Sequence, residues 1–314
     1  MTGRIGFVFP GQGSQSLGMM ADLADEFPQV RATFDEASAA LGRDLWMLSR
    51  QGPEAVLNRT VNTQPVMLAA DIATWRVWQD LGGPAPALGA GHSLGEYAAL
   101  VAAGSLEFAE AVRLVEARGR LMQEAVPEGE GAMAAVLGLQ DDRVEQACRE
   151  AAQGRVVEPV NFNAPGQVVI AGHADAVARA MERAEALGAR KTIRLPVSVP
   201  SHCSLMRPAA ERFAEHLAGV AIRPPAFPVL HNADLATHTS PEGIREALVR
   251  QLYRPVRWVA TIEAMKAAGV QALVECGPGK VLTGLNRRID RRFPVWPLAD
   301  PESLDAARAA LAGS

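Results

Sequence analysis

Residues 87–103 have the sequence ALGAGHSLGEYAALVAA, which gives the strongest local indication of the fold class. Its first part, Ala87–Gly91, is a short apolar run typical of a buried strand, and the run from Glu96 to Ala103 is typical of a helix. Between the two lies Gly91-His92-Ser93-Leu94-Gly95, in which a glycine stands two residues before and two residues after the serine. A strand that turns sharply into a helix through such a sequence predicts an α/β fold with an exposed serine at the turn.

Apolar runs alternate with amphipathic helical segments along much of the chain, which predicts a mostly parallel sheet covered by helices. The candidate strands of this sheet are Arg4–Phe9, Ala87–Gly91, Phe227–His231, Ala272–Cys276 and Val295–Leu298.

The segment from about Ala132 to Val197 has a different order of elements. They are a strand at Met133–Leu139, a helix at Asp141–Ala152, strands at Val156–Asn161 and Gln167–Ala171, a helix at Asp175–Leu187 and a strand at Lys191–Leu195. This βαββαβ order is ferredoxin-like, and the tight turn between the central strands makes them antiparallel. We therefore predict a small subdomain at 131–196, inserted into a large catalytic subdomain formed by 1–130 and 197–314. The alternative is that these elements continue the main sheet.

The composition argues against several classes of protein. The chain has 314 residues, of which 48% are hydrophobic and 21% charged, as in ordinary globular proteins. A net charge of −4 gives no global attraction to nucleic acid or to an anionic membrane, and no apolar run is long enough to span a bilayer. The 3 cysteines are widely spaced and form no CxxC pair, which predicts free thiols in a cytoplasmic protein and no metal site.

Ser93 is the candidate nucleophile. A sharp turn would fix its hydroxyl in an exposed position, and the N–H groups at the start of the following helix would favour developing negative charge. The pattern is short, however, and a serine that merely caps the helix is the alternative interpretation.

A serine nucleophile needs a base, and the chain has 6 histidines. His202 is the best candidate, because it lies in a proline-bounded loop after a predicted strand, where catalytic residues are often found. The remaining histidines are His92, His173, His216, His231 and His238. We expect the His92 side chain to point away from the serine, His231 to be a buried hydrogen-bonded residue, and the other three to lie at the surface. Cys203 is a rival nucleophile, although no turn presents its thiol.

Gly11-Gln12-Gly13-Ser14-Gln15 follows the first predicted strand. It lacks the lysine of a P-loop and the spacing of a dinucleotide-binding fingerprint. We interpret it as part of an oxyanion hole, in which one backbone N–H comes from the residue after the nucleophile, Leu94, and the second from another strand–helix loop. Gln12, between two glycines, suits that second role.

Arg118 is the most informative charged residue. The stretch from Glu107 to Ala125 has helical periodicity, with an apolar stripe formed by Ala111, Leu114, Val115, Leu121, Met122 and Ala125. Arg118 falls in the middle of that stripe, where a guanidinium needs a partner. Two interpretations remain open, namely a snorkelling or salt-bridged arginine and a bidentate ligand for a substrate carboxylate.

Seven ordered blocks resemble the bacterial malonyl-CoA:acyl carrier protein transacylases of the fatty-acid and polyketide acyltransferase family. The blocks are FPGQGSQ at 9–15, GHSLGEYAAL at 91–100, EARGRLMQ around Arg118, NFNAPGQVVIAG at 161–172, PSHCSLM at 200–206, QLYRPVRW at 251–258 and ECGPGKVLTGL at 275–285. The resemblance covers essentially the whole chain and implies an α/β-hydrolase-like large subdomain with an inserted ferredoxin-like small subdomain.

The resemblance also implies a role for each site residue. These are Ser93 as nucleophile, His202 as base, the backbone N–H groups of Gln12 and Leu94 as the oxyanion hole, Arg118 as ligand of the malonyl carboxylate, and the main-chain carbonyl of Gln251 as the group that orients the histidine. A carbonyl in that place makes the site a Ser–His dyad without a catalytic acid.

The implied reaction moves malonyl from malonyl-CoA to the phosphopantetheine thiol of acyl carrier protein through a malonyl-serine, supplying fatty-acid synthesis. It needs no metal or redox cofactor, since the coenzyme A thioester is a substrate, and a monomer is expected. The alternatives are a discrete acyltransferase serving a polyketide synthase, a serine thioesterase or carboxylesterase, and a non-catalytic scaffold that binds the carrier.

Two basic clusters could steer an acidic carrier protein toward a chain of net negative charge. The first is Arg287, Arg288, Arg291 and Arg292, and the second is Arg190, Lys191 and Arg194. The first could equally be a solvated helix face, and the second could contact coenzyme A phosphates.

Overall fold

The computed structural model of the chain describes residues 4–197 and 199–312. Its strands are, in chain order, β1 (Ile5–Phe9), β2 (Leu88–Gly91), β3 (Gly131–Leu137), β4 (Val157–Ala164), β5 (Gln167–His173), β6 (Lys191–Arg194), β7 (Val229–Leu230), β8 (Ala272–Glu275) and β9 (Val295–Pro297).

The helices cover both sheets. They are α1 (Ala21–Glu26), α2 (Pro28–Leu41), α3 (Leu45–Gln51), α4 (Glu54–Leu57), α5 (Thr60–Asp80), α6 (Gly95–Ala102), α7 (Phe108–Glu124), α8 (Asp141–Ala152), α9 (Ala174–Ala186), α10 (Arg207–Ala218), α11 (Pro241–Gln251), α12 (Trp258–Ala267), α13 (Val281–Ile289) and α14 (Pro301–Ala312). Among the described residues, no helix combines the length and the apolarity that a bilayer crossing requires.

The main sheet is parallel and has the strand order β7-β2-β1-β8-β9 in the described part of the chain. Its central strand β1 is buried along its whole length, as its unbroken apolar sequence requires in a sheet covered on both faces. Phe7 packs edge to face against Trp75 and Trp78 of α5, with ring centroids 5.3 and 5.7 Å away. Burying a phenylalanine side chain in this way stabilises the fold by about 1.5–3 kcal/mol.

The predicted strands of the main sheet are confirmed; four are one residue shorter than predicted, and β7 is three residues shorter. We predicted a strand over Phe227–His231, but β7 contains only Val229 and Leu230. Pro228 has no N–H to donate to a neighbouring strand, and the N–H of His231 turns away to the carbonyl of Ala236. This early end of β7 places the residues after it beside the serine turn.

The inserted segment forms a separate antiparallel sheet with the order β4-β5-β3-β6, which is the ferredoxin-like arrangement. The alternative, that these strands continue the main sheet, is wrong. Strand β3 begins and ends two residues earlier than predicted, and its end is set by Gly138, which has a φ of +78° and turns the chain there. One face of the sheet packs against α8 and α9 through residues such as Val136, Val168 and Ile170.

The other face of the small sheet packs on the large subdomain. Met133, Val169 and Ala171 of this face form a core with Cys203, the residue after His202. The backbone of β4 also pairs with Val256, and its Glu158 accepts hydrogen bonds from the N–H and hydroxyl of Ser204. The small subdomain is therefore connected directly to the loop that carries the candidate base.

Candidate active site

The turn between β2 and α6 presents Ser93 in a strained conformation. Its φ is +52°, in the left-handed region that costs a residue with a Cβ roughly 1–2 kcal/mol. The two glycines of the turn are required by close packing. A Cβ on Gly91 would lie 1.8 Å from the carbonyl carbon of Gly95, and a Cβ on Gly95 would lie 2.0 Å from the carbonyl oxygen of Phe9. The interpretation of Ser93 as a simple helix cap is wrong, because among the described residues its hydroxyl bonds to His202 and Arg118 and not to the backbone of α6.

His202 lies opposite the serine hydroxyl. Its Nε2 is 2.7 Å from Ser93 Oγ, and its Nδ1 is 2.8 Å from the carbonyl oxygen of Gln251. A carbonyl oxygen can only accept, so Nδ1 carries the proton and Nε2 presents a lone pair to the hydroxyl. This is the tautomer that a general base needs, and the main-chain carbonyl fixes it.

The surroundings of His202 keep its ring neutral. The residue is only 3% exposed. Burial, and after it the positive charge of Arg118, lower the pKa of His202 from 6.5 to about 3, while the hydrogen bond to the Gln251 carbonyl opposes the shift. The imidazole is therefore unprotonated at neutral pH.

The loop that carries Gln12 packs directly against the serine turn. A Cβ on Gly11 would lie 2.3 Å from the carbonyl oxygen of His92 and 3.7 Å from the nitrogen of Leu94. Within residues 4–197 and 199–312, neither the Gln12 N–H nor the Leu94 N–H donates a backbone or side-chain hydrogen bond. Two unengaged backbone donors at the serine are what an oxyanion hole provides.

Arg118 on α7 points into the same site and is only 1% exposed. It donates from one Nη to Gln64 Oε1 at 2.8 Å and from the other to Gln251 Oε1 at 2.9 Å and to Ser93 Oγ at 3.2 Å. No carboxylate of the described residues pairs with it, and its Nε has no partner among them. Burial accordingly lowers the pKa of Arg118. The snorkelling and salt-bridge interpretations are both contradicted, and a buried cation without an anionic partner is suited to an anionic ligand.

The space between these groups is small and connects to a larger cleft. A cavity of about 80 Å³ is lined by Ser93, His202, Arg118 and Gln12 together with Met133 of the small subdomain. The cleft, of about 1070 Å³, shares with it the lining residues Thr60, Val197 and Val199. A short acyl group fits the cavity, while the cleft can take the longer group that carries it.

The acyl transferase domain family matches residues 6–313 of the chain. The chain belongs to this family. It is 58% identical to the malonyl CoA-acyl carrier protein transacylase of Escherichia coli K12 over 301 residues, covering 96% of this chain and 97% of that protein. It is 43% identical to the transacylase of the same name from Bacillus subtilis, covering 97% and 96%.

Solved structures of the same family superpose closely on the chain. The malonyl CoA-acyl carrier protein transacylase of Coxiella burnetii has a TM-score of 0.98 and 52% identity, covering 99% of this chain and 98% of that one. A malonyl-transacylase in complex with a type II PKS acyl-carrier protein has a TM-score of 0.97 and 56% identity, covering 98% and 99%.

The other histidines of this acyl transferase domain make separate contacts. His92 Nε2 lies 2.8 Å from Asn163 Oδ1, which turns its ring away from the serine as expected. His231 is buried and lies 2.7 Å from Glu96, also as expected. His216 is exposed, whereas His173 and His238 are half-buried, so the expectation of a surface position holds fully only for His216.

Cys203 cannot act as the nucleophile. Its side chain is fully buried and its Sγ donates to the carbonyl of Pro200 at 3.1 Å. Burial raises the pKa of the Cys203 thiol to about 12, so the reactive thiolate is scarce at neutral pH. The rival interpretation of the sequence is therefore wrong.

Sequence reasoning missed three buried residues of the site, namely Gln64, Glu96 and Asn232. Gln64 Oε1 accepts from Arg118 at 2.8 Å, and Asn232 Oδ1 accepts from the backbone N–H of Ser93 at 2.9 Å. Of these three, only Glu96 could have been found from the local sequence. It is a carboxylate among the apolar residues of the helix that follows the serine turn, and a carboxylate buried there needs a partner.

Proposed function

We propose that this protein transfers a malonyl group from malonyl-CoA to the phosphopantetheine thiol of acyl carrier protein, supplying fatty-acid synthesis. The observation that carries the proposal is the meeting, in one small cavity, of a Ser93–His202 pair with the buried Arg118, which pairs with no carboxylate of the described residues. The identity to malonyl CoA-acyl carrier protein transacylases over nearly the whole chain supports the same reaction.

In the first half-reaction Ser93 is the nucleophile and His202 the base. Nε2 of His202 accepts the serine proton as Oγ attacks the thioester carbonyl carbon. The oxyanion accepts hydrogen bonds from the backbone N–H groups of Gln12 and Leu94. The C–S bond then breaks, coenzyme A leaves with the proton from the imidazole, and a malonyl ester remains on Ser93.

The second half-reaction reverses these steps with a different thiol. The phosphopantetheine thiol attacks the ester carbonyl and gives its proton to His202. The C–O bond breaks, the proton returns to Ser93 Oγ, and malonyl leaves on the carrier. The carbonyl of Gln251 orients the imidazole throughout, in place of a catalytic acid.

Arg118 binds the malonyl carboxylate, and this contact also affects the base. The guanidinium charge is one of the causes that lower the pKa of His202. A carboxylate paired with Arg118 compensates that charge, so the substrate itself raises the basicity of the imidazole. A neutral acyl group provides no such compensation, which argues against a thioesterase or carboxylesterase for neutral acyl chains.

Service to a polyketide synthase is the second candidate function. The observation in its favour is the 56% identity to a malonyl-transacylase that was solved with a type II PKS acyl-carrier protein. The chemistry at Ser93 is the same in both pathways, and only the carrier differs.

Three further features belong to the proposal. We place the small subdomain at 131–196 and the large one at 1–130 and 197–314, since β3 begins at Gly131 and β6 ends at Arg194.

The enzyme works as a monomer without metal or redox cofactor, with the coenzyme A thioester as substrate. Its location is cytoplasmic, which the free thiols of its three buried cysteines support.

The covalent intermediate tests the function. Protein incubated with malonyl-CoA and no acceptor is quenched rapidly and examined by intact mass and peptide mapping. We expect one malonyl group on Ser93, which is released by a phosphopantetheine-loaded carrier protein and is absent from Ser93→Ala. A label on Cys203, or an unlabelled wild-type protein, would overturn the assignment. Cys203→Ala is the matched control and should be labelled normally.

A further inference from the structure

The strained turn at Ser93 is held by a side chain from another part of the chain. The carboxamide of Asn232 spans the turn, because its Oδ1 accepts from the Ser93 N–H at 2.9 Å and its Nδ2 donates to the Gly91 carbonyl at 2.8 Å. One donor and one acceptor on a single amide are what a neighbouring strand would supply to the same two backbone groups. Asn232 lies two residues after the end of β7, so its side chain continues the pairing with the end of β2 where the backbone of β7 no longer does.

A buried carboxylate fixes Asn232 in turn. Glu96 Oε2 accepts from the backbone N–H of Asn232 and from Gln251 Nε2, both at 2.9 Å, and Glu96 Oε1 lies 2.7 Å from His231 Nδ1. Gln251 Nε2 also donates to the Ser93 carbonyl at 2.8 Å. All four side chains of this network are buried, so each hydrogen bond lost would leave a polar group without a partner.

We propose that Asn232 is a positioning residue for the reaction, and that its carboxamide holds Ser93 in the left-handed conformation that directs Oγ toward His202. A residue in that conformation persists only where its surroundings over-determine it. The peptide group before Ser93 is held by Asn232, and the peptide group after it is held in part by the Gln251 side chain. The Glu96 carboxylate holds both residues in place, since it accepts from the backbone N–H of Asn232 and from the side-chain amide of Gln251. The inference rests on the proposed role of Ser93.

The loss of the carboxamide should slow chemistry without weakening substrate binding. Asn232→Ala leaves Arg118, Gln64 and the cavity wall in place, so KM for malonyl-CoA should change by less than about threefold. A displacement of the nucleophile by about 1 Å can reduce the rate by about 10²-fold. We therefore expect kcat, and the rate of Ser93 labelling by malonyl-CoA, to fall by roughly 10- to 100-fold.

Asn232→Asp provides a sharper test, because protonation restores the missing donor. The protonated carboxyl group accepts from the Ser93 N–H and donates to the Gly91 carbonyl, as the carboxamide does. The ionised form has no donor and places an oxygen against that carbonyl. Activity relative to wild type should be high at low pH and fall as the group ionises, at a pH that burial raises above about 4. The titratable and charged groups around the same turn are Glu96, His231, His92, His202 and Arg118, and all of them are present in wild type and in the variant.

The experiment measures kcat, KM and Ser93 labelling from pH 5 to 9 in wild type, both Asn232 variants and Asn286→Asp. Asn286 is a buried asparagine in α13 that accepts a hydrogen bond from Trp258 and lies outside the site. Asn286→Asp therefore shows the effect that burying a carboxyl group elsewhere has on activity. A pH-dependent loss for Asn232→Asp, not shared by Asn286→Asp, supports the proposal. An activity of Asn232→Asp equal to that of wild type at every pH from 5 to 9 would overturn it, as would a folded Asn232→Ala with wild-type kcat.

A reagent without a malonyl group separates this inference from the proposed function. Phenylmethanesulfonyl fluoride reports how well the Ser93 hydroxyl is presented to any acylating agent. Slower sulfonylation of the Asn232 variants supports the positioning role. Rapid sulfonylation of wild type without malonyl transfer would overturn the proposed function alone, whereas equal sulfonylation of wild type and variants would overturn the positioning role alone.

Discussion

Arg118 Nη2 lies 3.2 Å from Ser93 Oγ, so the buried cation stands next to the atom that would carry the acyl group. In a malonyl ester only one methylene separates the carbonyl carbon from the free carboxylate. A cation this close to the nucleophile is therefore placed for a short acyl group with a terminal carboxylate. The small cavity favours a short acyl group, and the buried guanidinium favours a terminal carboxylate. Each preference can be tested separately.

Arg118→Ala should reduce transfer of malonyl far more than transfer of acetyl. Removing one partner of a buried charged pair costs roughly 3–5 kcal/mol. At about 1.4 kcal/mol per tenfold, kcat/KM for malonyl-CoA should fall by about two to four orders of magnitude. Acetyl-CoA has no carboxylate to pair, so its slow transfer should change little. The measurement is the malonyl-to-acetyl preference ratio.

Arg118→Lys is the matched control for charge. An ammonium keeps the charge but cannot reproduce the planar guanidinium that bonds to Gln64 and Gln251, so it should recover only part of the loss. Each variant is checked by its thermal melt, since these two glutamines lose a donor. An equal fall for malonyl and acetyl would mean that Arg118 is structural.

The lowered pKa of His202 predicts how stability depends on pH. The unfolded chain binds a proton at this residue below about 6.5, whereas the folded protein does so only near pH 3. Between these values the unfolded state holds more protons, so the free energy of unfolding falls as the pH falls. The contribution of His202 to this fall is at most about 1.4 kcal/mol per pH unit.

His202→Gln should remove that contribution. Urea unfolding at pH 7, 6 and 5 should show a smaller fall in the free energy of unfolding for the variant than for wild type. His92, whose pKa is also lowered by burial, is present in both proteins and cancels in the comparison. Parallel pH dependences would show that the His202 ring titrates normally.

Gly11→Ala should separate the oxyanion loop from the serine turn. The new Cβ would meet the carbonyl oxygen of His92 at 2.3 Å, and backbone atoms on both sides cannot rotate away. We expect a shift on the order of 1 Å and a loss of about 10²-fold in Ser93 labelling by malonyl-CoA. Gly284→Ala is the matched control, because nothing lies within 4 Å of its Cβ in α13. It should leave labelling unchanged and stabilise the helix by about 1 kcal/mol. Wild-type labelling of Gly11→Ala would contradict the packing argument.

The two basic clusters are alternative candidate binding surfaces for the carrier protein. Arg287, Arg288, Arg291 and Arg292 are exposed at the end of α13, and Arg190, Lys191 and Arg194 are exposed along β6, an edge strand of the small sheet. Reversal to glutamate of the cluster that docks the carrier should raise the carrier KM by roughly tenfold, with less effect at high salt.

The first half-reaction is the control for docking. Ser93 labelling by malonyl-CoA should be unchanged if a cluster acts only on the carrier. A raised KM for malonyl-CoA would instead assign the β6 cluster to the coenzyme A phosphates. No change in either KM would remove both clusters from recognition.

The elements that could be predicted from the amino-acid sequence are those with local signals. The strand–turn–helix around Ser93, the βαββαβ order of the inserted segment and the inward position of Arg118 all follow from apolar periods and turn residues over a few positions. The ends of individual strands, such as β7, differed from the predicted ends where a proline or a left-handed residue ended the pairing. The identity of the histidine that meets Ser93 could be ranked from its loop, while the Gln251 carbonyl came only from the family resemblance.

Contacts between residues far apart in the chain became known from the folded structure alone. Asn232 is 139 residues from Ser93 along the chain, and no periodicity links them, because the strand order β7-β2-β1 brings the end of β7 next to the end of β2. The same holds for the hydrogen-bond partners of Arg118, none of which is a carboxylate of the described residues, and for the burial that removes Cys203 from the chemistry. Local sequence fixes backbone conformation and which face is apolar, whereas desolvation and partner choice depend on atoms supplied by the rest of the fold.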